Sequence, residues 1–294
     1  MKKTFGEFKE YLKSYYDERA GIYASSYSDE GRYPSNRFRL NQMLDLISNI
    51  EPHPMTILDA GCGDGRAVSE LTERGYDCVG FDYSDGMLKE AQEILRSKNI
   101  STDIVKIGDI YDIAHADETF DAVICLGVIE NLPHHEDVFS ELYRVLKPGG
   151  RLIVSVENEL FSLYTLNTNT LGFYQEILTD IGVEKSIIKK VLKDTAAWLN
   201  VDDVEYFEKI IEDRQIDKDN VAIPKYNPLN ISEKVSEYKF IHEKTRFYHY
   251  HPLPPRFEVE YPSLFSDWAQ QLETVDFDWR GAVMCNVMVL QLRK

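Results

Sequence analysis

A loop rich in glycine and aspartate separates an apolar segment from an amphipathic one. Its sequence, DAGCGDG, covers residues 59–65. Glycine adopts backbone conformations that other residues avoid, and it lets a ligand approach the main chain closely. A dinucleotide-binding turn has the spacing G-x-G-x-x-G, whereas Arg66 stands here in place of the third glycine. Asp59 and Asp64 flank the loop with negative charge, which suits a cationic ligand better than a pyrophosphate.

Two further carboxylates stand at the ends of the next two apolar segments. Asp82 closes the segment YDCVGFD, where a carboxylate can accept hydrogen bonds from both hydroxyls of a ribose. Asp109 closes the segment TDIVKIGD, where it can accept a hydrogen bond from an adenine amino group. Aspartates at such positions also form turns and cap helices, so each has a structural alternative. Three acids at three successive strand ends indicate a site for a nucleoside that carries a positive charge.

Glutamate and histidine residues further along the chain are candidates for moving a proton. The catalytic candidates are Glu130, His134 and His249, and His135 and His251 are further possible bases. Glu130 has an alternative role as the cap of a following helix. His249 and His251 share one face of a predicted strand, but spacing fixes no third metal ligand. We therefore expect no metal site.

The segments that must position these residues alternate between two patterns. Short apolar runs predict five strands, at residues 55–60, 76–82, 102–109, 120–126 and 151–156. Amphipathic segments between them predict helices at residues 67–74, 86–97 and 138–146. This alternation predicts an α/β fold with a mostly parallel sheet and helices on both faces. Ligands bind such sheets beyond the carboxyl ends of the strands, where the three aspartates lie.

The remaining segments are predicted to surround this core. Apolar residues share one helical face within 188–199 and again within 204–211, which predicts a helical insert. Two prolines mark residues 220–230 as a linker, and residues 242–251 and 282–292 have the pattern of strands. The chain is thus predicted to have four parts: an N-terminal helical lid segment (1–50), the cofactor-binding core (51–156), a helical substrate-lid insert (157–230) and a C-terminal completion of the sheet (231–294).

Composition restricts the class of partner. The chain has 294 residues, with 33 Lys and Arg against 50 Asp and Glu, so its formal net charge is −17. Because no basic cluster is present, we expect neither nucleic acid nor a membrane surface as a partner. A neutral or cationic small molecule suits this charge better.

The hydropathy of the chain and the spacing of its cysteines indicate the cellular compartment that we expect. No run approaches the roughly 18 apolar residues of a membrane span, and no leader pattern is evident. The four cysteines form no C-x-x-C pair, which is typical of a reduced protein. We expect a cytoplasmic protein, and the sequence leaves its oligomeric state open.

Five ordered segments resemble the class I S-adenosylmethionine-dependent methyltransferases of the small-molecule type. They are ILDAGCGDGR (57–66), VGFDYSDGML (79–88), GDI (108–110), FDAVICLGVIENLP (120–133) and VLKPGGRLIVSV (145–156). The resemblance implies a Rossmann-like, doubly wound sheet of seven strands whose last strand is antiparallel. It also implies S-adenosyl-L-methionine as cofactor and S-adenosyl-L-homocysteine as product.

The resemblance further implies roles for individual residues. Asp59 would hold the aminoacyl part of the cofactor, Asp82 its ribose and Asp109 its adenine. Relatives often have Glu-His after the fourth strand, where this chain has Glu130-Asn131, so no histidine base is implied there. The full set assigned to the cofactor is Asp59, Gly61, Cys62, Gly63, Asp82, Tyr83, Met87, Gly108, Asp109, Ile110, Leu126 and Gly127, with Tyr16, Tyr23 and Arg32 from the N-terminal lid.

The chemistry implied is methyl transfer to oxygen or nitrogen of a small acceptor, such as a sugar, an amino alcohol or a phosphorylated metabolite. Methyl transfer from a sulfonium is an in-line displacement, in which alignment alone can supply about 7–11 kcal/mol. A hydroxyl acceptor also needs a general base, whereas an amine can lose its proton in solution. Two alternatives stay open: a nicotinamide-dependent oxidoreductase on a Rossmann sheet, and a non-catalytic nucleoside-binding protein.

Overall fold

A seven-stranded sheet forms the centre of the protein in the computed structural model, which describes residues 5–23, 34–51, 55–201, 223–258, 260–273 and 279–294. The strand order is β3-β2-β1-β4-β5-β7-β6. The strands are β1 (Thr56–Ala60), β2 (Asp77–Asp82), β3 (Val105–Ile107), β4 (Phe120–Cys125), β5 (Leu146–Glu157), β6 (Ile241–Tyr250) and β7 (Cys285–Arg293). Neighbours among β1–β5 pair in parallel, whereas β7 runs antiparallel to both β5 and β6. The predicted Rossmann-like sheet with an antiparallel last strand is confirmed.

Helices cover both faces of this sheet. They are α1 (Phe5–Tyr23), α2 (Ser35–Ser48), α3 (Arg66–Glu73), α4 (Asp85–Ser97), α5 (His135–Val145), α6 (Phe161–Tyr164), α7 (Thr168–Asp180), α8 (Lys185–Leu199), α9 (Ile231–Glu237), α10 (Pro262–Glu273) and α11 (Gly281–Met284). Ile57 and Leu58 are neighbours on β1, and both are 0% exposed. Ile57 packs with Met43 of α2, whereas Leu58 belongs to the cluster of Phe139 on α5. Burial on both faces is typical of parallel strands and explains their unbroken apolar sequence.

Two predicted strands are shorter in the structure than the sequence pattern suggests. The segment 102–109 begins with a 3₁₀ turn, Thr102–Ile104, because the Ser101 hydroxyl accepts a hydrogen bond from the amide of Asp103 at 3.2 Å. The segment 282–292 begins with the short helix α11, and its strand starts only at Cys285. Both changes leave the carboxyl end of the parallel strands where the sequence places it.

The interpretation of residues 220–230 as a linker is wrong for the part that the structure describes. Tyr226 is 1% exposed, and its amide donates to the carbonyl of Glu157 at 2.9 Å. Its hydroxyl lies 2.7 Å from Nδ1 of His135. Nε2 of His135 lies 2.9 Å from the carbonyl oxygen of Leu132. Both ring nitrogens of His135 are therefore used in the core, which corrects its interpretation as a possible base.

Several predictions concern residues outside the described ranges. These are Arg32 and the predicted helical face within 204–211. Among the helices that the structure describes, none combines the length and hydropathy needed to cross a membrane.

Candidate functional site

The glycine loop connects β1 to α3 in a conformation that depends on glycine. Gly61 and Gly65 have φ values of 84° and 72°, which side-chain-bearing residues rarely adopt. A Cβ atom on Gly61 would lie 2.3 Å from Cγ2 of Val128, and one on Gly65 would lie 2.8 Å from Cβ of Ala91. The loop can therefore pack closely against α4 and the segment after β4, which leaves its backbone facing the carboxyl end of the sheet.

Asp82 organises this loop from the end of β2. Its Oδ2 accepts a hydrogen bond from the amide of Gly63 at 2.8 Å, and its Oδ1 accepts one from the amide of Ser84 at 2.9 Å. Burial raises the pKa of Asp82, and these backbone hydrogen bonds oppose the shift. The structural role of this aspartate is thus real, yet each carboxylate oxygen keeps a further lone pair for a ligand.

A cleft of about 810 Å³ opens above the ends of β1, β2 and β4. Residues assigned to the cofactor from the sequence line it together: Tyr23, Gly61, Gly63, Asp82, Tyr83, Met87, Gly108, Asp109, Ile110, Leu126 and Gly127. Topology brings these residues together because the carboxyl ends of parallel strands meet at one edge of the sheet.

Asp109 forms the far end of this cleft, where an adenine is expected. Its Oδ1 accepts a hydrogen bond from the amide of Tyr111 at 3.0 Å, and its Oδ2 forms an ion pair with Lys9 of α1. The Lys9 ammonium also lies 5.2 Å from the ring centre of Tyr83. The role of Lys9 could not be predicted from the sequence pattern, because its contact with Asp109 joins residues far apart in the chain.

A second cavity of about 420 Å³ adjoins the first and shares Tyr23, Gly61, Gly63 and Leu126 with it. It is also lined by Asp59, Cys62 and Asp64, where the aminoacyl part of a cofactor is expected. Asp64 is paired with Arg66, whose Nε donates to its Oδ2 at 2.9 Å. Asp59 is 4% exposed and remains the carboxylate available to a ligand amine.

Arg39 of α2 lines this second cavity, and sequence reasoning missed it. Its Nη2 donates to the hydroxyl of Tyr23 at 3.0 Å. A Cβ atom on Gly127 would lie 2.1 Å from Nη1 of Arg39, so the glycine makes room for the guanidinium. Arg39 precedes the apolar stripe of α2 that begins at Leu40, and this position is the signal that could have found it. Arg39 carries a positive charge at the cavity where the aminoacyl part of a cofactor is expected, the role that the family resemblance implies for Arg32.

We expect Arg39→Met to weaken binding of S-adenosylhomocysteine about tenfold or more, because charged hydrogen bonds contribute about 1.5–3 kcal/mol. Binding of 5′-methylthioadenosine, which lacks the aminoacyl group, should change little. Isothermal titration calorimetry with both ligands measures the difference, and Arg74→Met, on the exposed end of α3, is the control. Equal weakening for both ligands would place Arg39 elsewhere than at the carboxylate.

Burial of the charged Asp59 carboxylate is expected to lower the free energy of unfolding of the ligand-free protein. Burial, and then the charge of Asp82, raise its pKa to about 7, while Arg39 opposes the shift. An unfolded aspartate has a pKa of about 3.9, so this group's contribution to stability is lost as pH rises through 7. We expect Asp59→Asn to raise the melting temperature of the ligand-free protein more at pH 8 than at pH 4.5. Thermal unfolding at both pH values, with the exposed Asp77→Asn as control, tests this; a gain independent of pH would contradict it.

Helix α1 lies along the cleft and contributes to its lining, and two hydrogen bonds attach it to the core. Oδ1 of Asp17 accepts hydrogen bonds from Oγ of Ser84 at 2.6 Å and from the amide of Gly86 at 2.8 Å. These contacts join α1 to the first turn of α4. Tyr16 and Tyr23 of the same helix line the cleft, as expected.

Glu130 lies on a 3₁₀ turn, Ile129–Asn131, directly after β4. Its Oε2 is buried and has no hydrogen-bond partner among the described residues. Burial raises the pKa of Glu130 to about 7, against an opposing interaction with the Ser155 hydroxyl. The charge of Arg39 opposes this shift. Burial raises the pKa of the Tyr16 hydroxyl, and the charges of nearby tyrosines and of Glu130 add to that shift. A carboxyl group so placed can take a proton near neutral pH.

The two histidines predicted as bases lie elsewhere. His134 is exposed at the start of α5, and its ring packs edge-on against Phe5 at 4.9 Å. His249 follows Tyr248 on β6, and its ring centre is 4.6 Å from that of His251. Burial, and then the charge of His251, lower the pKa of His249 to about 3. Neither His134 nor His249 belongs to the described lining of the two cavities.

Metal ligation has no support in the part of the chain that the structure describes. No group of three or more His, Cys, Asp or Glu side chains is placed to hold an ion there. The four cysteines, all within the described residues, are buried and form no disulfide bond.

Comparison with known proteins agrees with this geometry. Residues 58–154 match a family described as a methyltransferase domain. The human mitochondrial ubiquinone biosynthesis O-methyltransferase is 29% identical over 238 residues, covering 76% of this chain and 59% of that protein. The sterol 24-C-methyltransferase of Schizosaccharomyces pombe is 28% identical over 243 residues, covering 76% and 60%. The chain thus spans about 60% of the length of these relatives.

A solved structure shows the same fold over the whole chain. Magnesium protoporphyrin IX methyltransferase from Synechocystis PCC 6803, solved with bound S-adenosylhomocysteine, has a TM-score of 0.55 and 14% identity. It covers 98% of this chain and 99% of its own. The solved structure shows the fold alone, whereas the five ordered sequence segments, the matched domain and the named relatives show that residues 58–154 are a domain of the class I S-adenosylmethionine-dependent methyltransferases.

Proposed function

We propose that this chain transfers a methyl group from S-adenosylmethionine to an oxygen atom of a small-molecule acceptor. The observation that carries the choice of oxygen is the carboxyl group of Glu130. Its buried Oε2 has no hydrogen-bond partner among the described residues, and two groups that interact with it electrostatically, Arg39 and Tyr16, line the two cavities. A buried carboxylate oxygen in this position needs a donor, and an acceptor hydroxyl supplies one.

The residues of the two cavities fit the cofactor. Asp82 would accept hydrogen bonds from the ribose, and Asp109 with the amide of Ile110 would bind the adenine edge. Asp59 and Arg39 would bind the amine and carboxylate of the aminoacyl part. When bound, the sulfonium supplies an already activated methyl group, so the protein's task is to align the acceptor and exclude water.

Glu130 would act as the general base. A hydroxyl must lose its proton as the new bond to carbon forms, and a base with a pKa near the working pH is most effective. Burial places the pKa of Glu130 at about 7, within that range. By sequence, His134 and His249 are candidates as well, and none of the three side chains belongs to the described lining of the two cavities. We favour Glu130 because its neighbour in the chain, Asn131, lines the larger cleft and because burial raises the pKa of Glu130 to about 7.

The named relatives support a small-molecule acceptor of this kind without fixing its identity. One is named for O-methylation in ubiquinone biosynthesis and the other for methylation of a sterol carbon. Both are methyltransferases, and neither name supports the nicotinamide-dependent alternative. We carry over only the class of reaction, transfer to a small molecule, and the oxygen is inferred from Glu130.

Transfer of tritium from S-[methyl-³H]adenosylmethionine tests the proposal. The acceptor panel would contain catechol, glucose, glycerol 3-phosphate and ethanolamine, with turnover also followed as S-adenosylhomocysteine formation. We expect label on the oxygen of at least one hydroxyl compound. Label on the nitrogen of ethanolamine alone would contradict oxygen transfer, and tight cofactor binding without turnover would favour the non-catalytic alternative.

A further inference from the structure

Helix α1 places a cation at the far end of the larger cleft. The side chain of Lys9 lines this end together with Tyr83, Asp109, Ile110 and Tyr111. Its ammonium group forms an ion pair with Oδ2 of Asp109. This oxygen is the one hydrogen-bond acceptor that the described residues offer to Lys9, so two of the three ammonium N–H groups are left for solvent or a ligand.

Three aromatic rings surround the same ammonium group. Nζ of Lys9 lies 5.2 Å from the ring centre of Tyr83, 5.4 Å from that of Tyr111 and 5.8 Å from that of Phe5. A cation within about 6 Å of such a ring is attracted to its face. The ring of Tyr111 is itself fixed, because its hydroxyl donates to the carbonyl oxygen of Pro133 at 2.6 Å. The ammonium group therefore has a defined position before a ligand binds.

We propose that Lys9 is a cofactor-binding residue that donates a hydrogen bond to N7 of the adenine. This inference rests on the proposed placement of the adenine at Asp109 and Ile110. Adenine has an amino donor beside the acceptor N7, whereas guanine has two acceptors at these positions. Asp109 and Lys9 present the complementary pair, an acceptor beside a donor. The amino group thus faces Asp109, N1 faces the amide of Ile110, and N7 faces Lys9.

A purely supporting role for Lys9 is the alternative, in which it only holds the Asp109 carboxylate in place. The carboxylate has another support, because its Oδ1 accepts a hydrogen bond from the amide of Tyr111 at 3.0 Å. The side chain of Lys9 is 20% exposed and lines the cleft, so its ammonium group is accessible to a ligand. These two observations favour a direct contact between Lys9 and the base.

S-adenosylhomocysteine and its 7-deaza analogue, in which a C–H group replaces N7, test this inference by calorimetry. The two ligands share the ribose, the aminoacyl part and the amino group of the base. Wild-type protein should bind the 7-deaza analogue about tenfold more weakly, because a hydrogen bond to a charged donor is lost. In Lys9→Met the two ligands should bind with equal affinity, since methionine keeps the apolar stem but has no N–H group.

The matched control is Lys13→Met. Lys13 lies one turn further along α1 and lines the same cleft, but its ammonium group is paired with two carboxylates, those of Asp17 and Asp85. Its loss should leave the tenfold difference between the two ligands unchanged, and melting temperatures would show that both variants fold. The ligand comparison on wild-type protein needs no variant. Equal wild-type affinities for the two ligands overturn the inference, and so does a tenfold difference that persists in folded Lys9→Met.

Asp109→Ala separates this inference from the proposed placement of the adenine. If Asp109→Ala binds S-adenosylhomocysteine as tightly as wild type does, the adenine does not lie at Asp109, and the placement is wrong. If Asp109→Ala weakens binding but the wild-type protein does not distinguish the two ligands, only the role of Lys9 is overturned.

Discussion

Glu130→Gln should lower kcat by a factor of about 10²–10⁴, the usual range for loss of a general base. The amide has nearly the same shape as the carboxyl group but cannot take the proton of the acceptor. Because Glu130 is not among the residues that we assign to the cofactor, the affinity for S-adenosylhomocysteine should change less than threefold. Steady-state turnover together with calorimetry measures both quantities on the same preparation.

The role of Glu130 as a base also predicts how kcat depends on pH. Burial raises the pKa of Glu130 to about 7, so the group is protonated and inactive as a base at lower pH. Wild-type kcat should therefore decrease by up to about tenfold for each pH unit below 7, and this pH dependence should be absent in Glu130→Gln. Glu136→Gln, an exposed change on α5, is the control. Full activity in Glu130→Gln, or a profile identical to wild type, would remove Glu130 from the mechanism.

Asp82→Ala should weaken binding of S-adenosylhomocysteine by about 1–3 kcal/mol, or about 5- to 150-fold. Charge-assisted hydrogen bonds to the ribose are lost, and so are the supports of the glycine loop at Gly63 and of the turn at Ser84. Unlike Arg39→Met, this change should weaken 5′-methylthioadenosine as much as S-adenosylhomocysteine, since both ligands contain the ribose. Calorimetry with the two ligands provides the measurement.

Two variants show how much of the Asp82 effect is local. Asp82→Asn keeps one oxygen acceptor and should fall between wild type and alanine, whereas Asp77→Ala, at the exposed start of the same strand, should bind normally. Wild-type affinity in folded Asp82→Ala would show that this carboxylate serves the turn alone.

The part of the site that lies at strand ends could be predicted from sequence. Asp59, Asp82 and Asp109 each close an apolar run, and a parallel sheet brings such positions to one edge whatever the details of packing. The glycines of the loop after Asp59 indicate that the backbone there can approach a ligand closely. The order of these residues along the chain therefore predicted that they gather at one edge of the sheet, where Asp82 and Asp109 line the larger cleft and Asp59 lines the adjoining cavity.

The parts that depend on non-local packing could not be predicted. Arg39 reaches the site because α2 packs beside β1, and the Ser155 hydroxyl reaches the amide of Gly127 because β5 is the neighbour of β4. Strand order of this kind is not written in the local pattern of either segment. Residue type alone also misleads: His135 looked like a base, yet its ring nitrogens are used by Tyr226 and two carbonyl groups.

The structure of the protein crystallised with S-adenosylhomocysteine tests the central claim most directly. We expect the ribose hydroxyls to contact Asp82 and the adenine to lie beside Asp109 and Ile110. We also expect the ligand carboxylate to contact Arg39 and the sulfur to face the Glu130 carboxyl group. A cleft left empty at saturating ligand, or a ligand bound away from these residues, would contradict it.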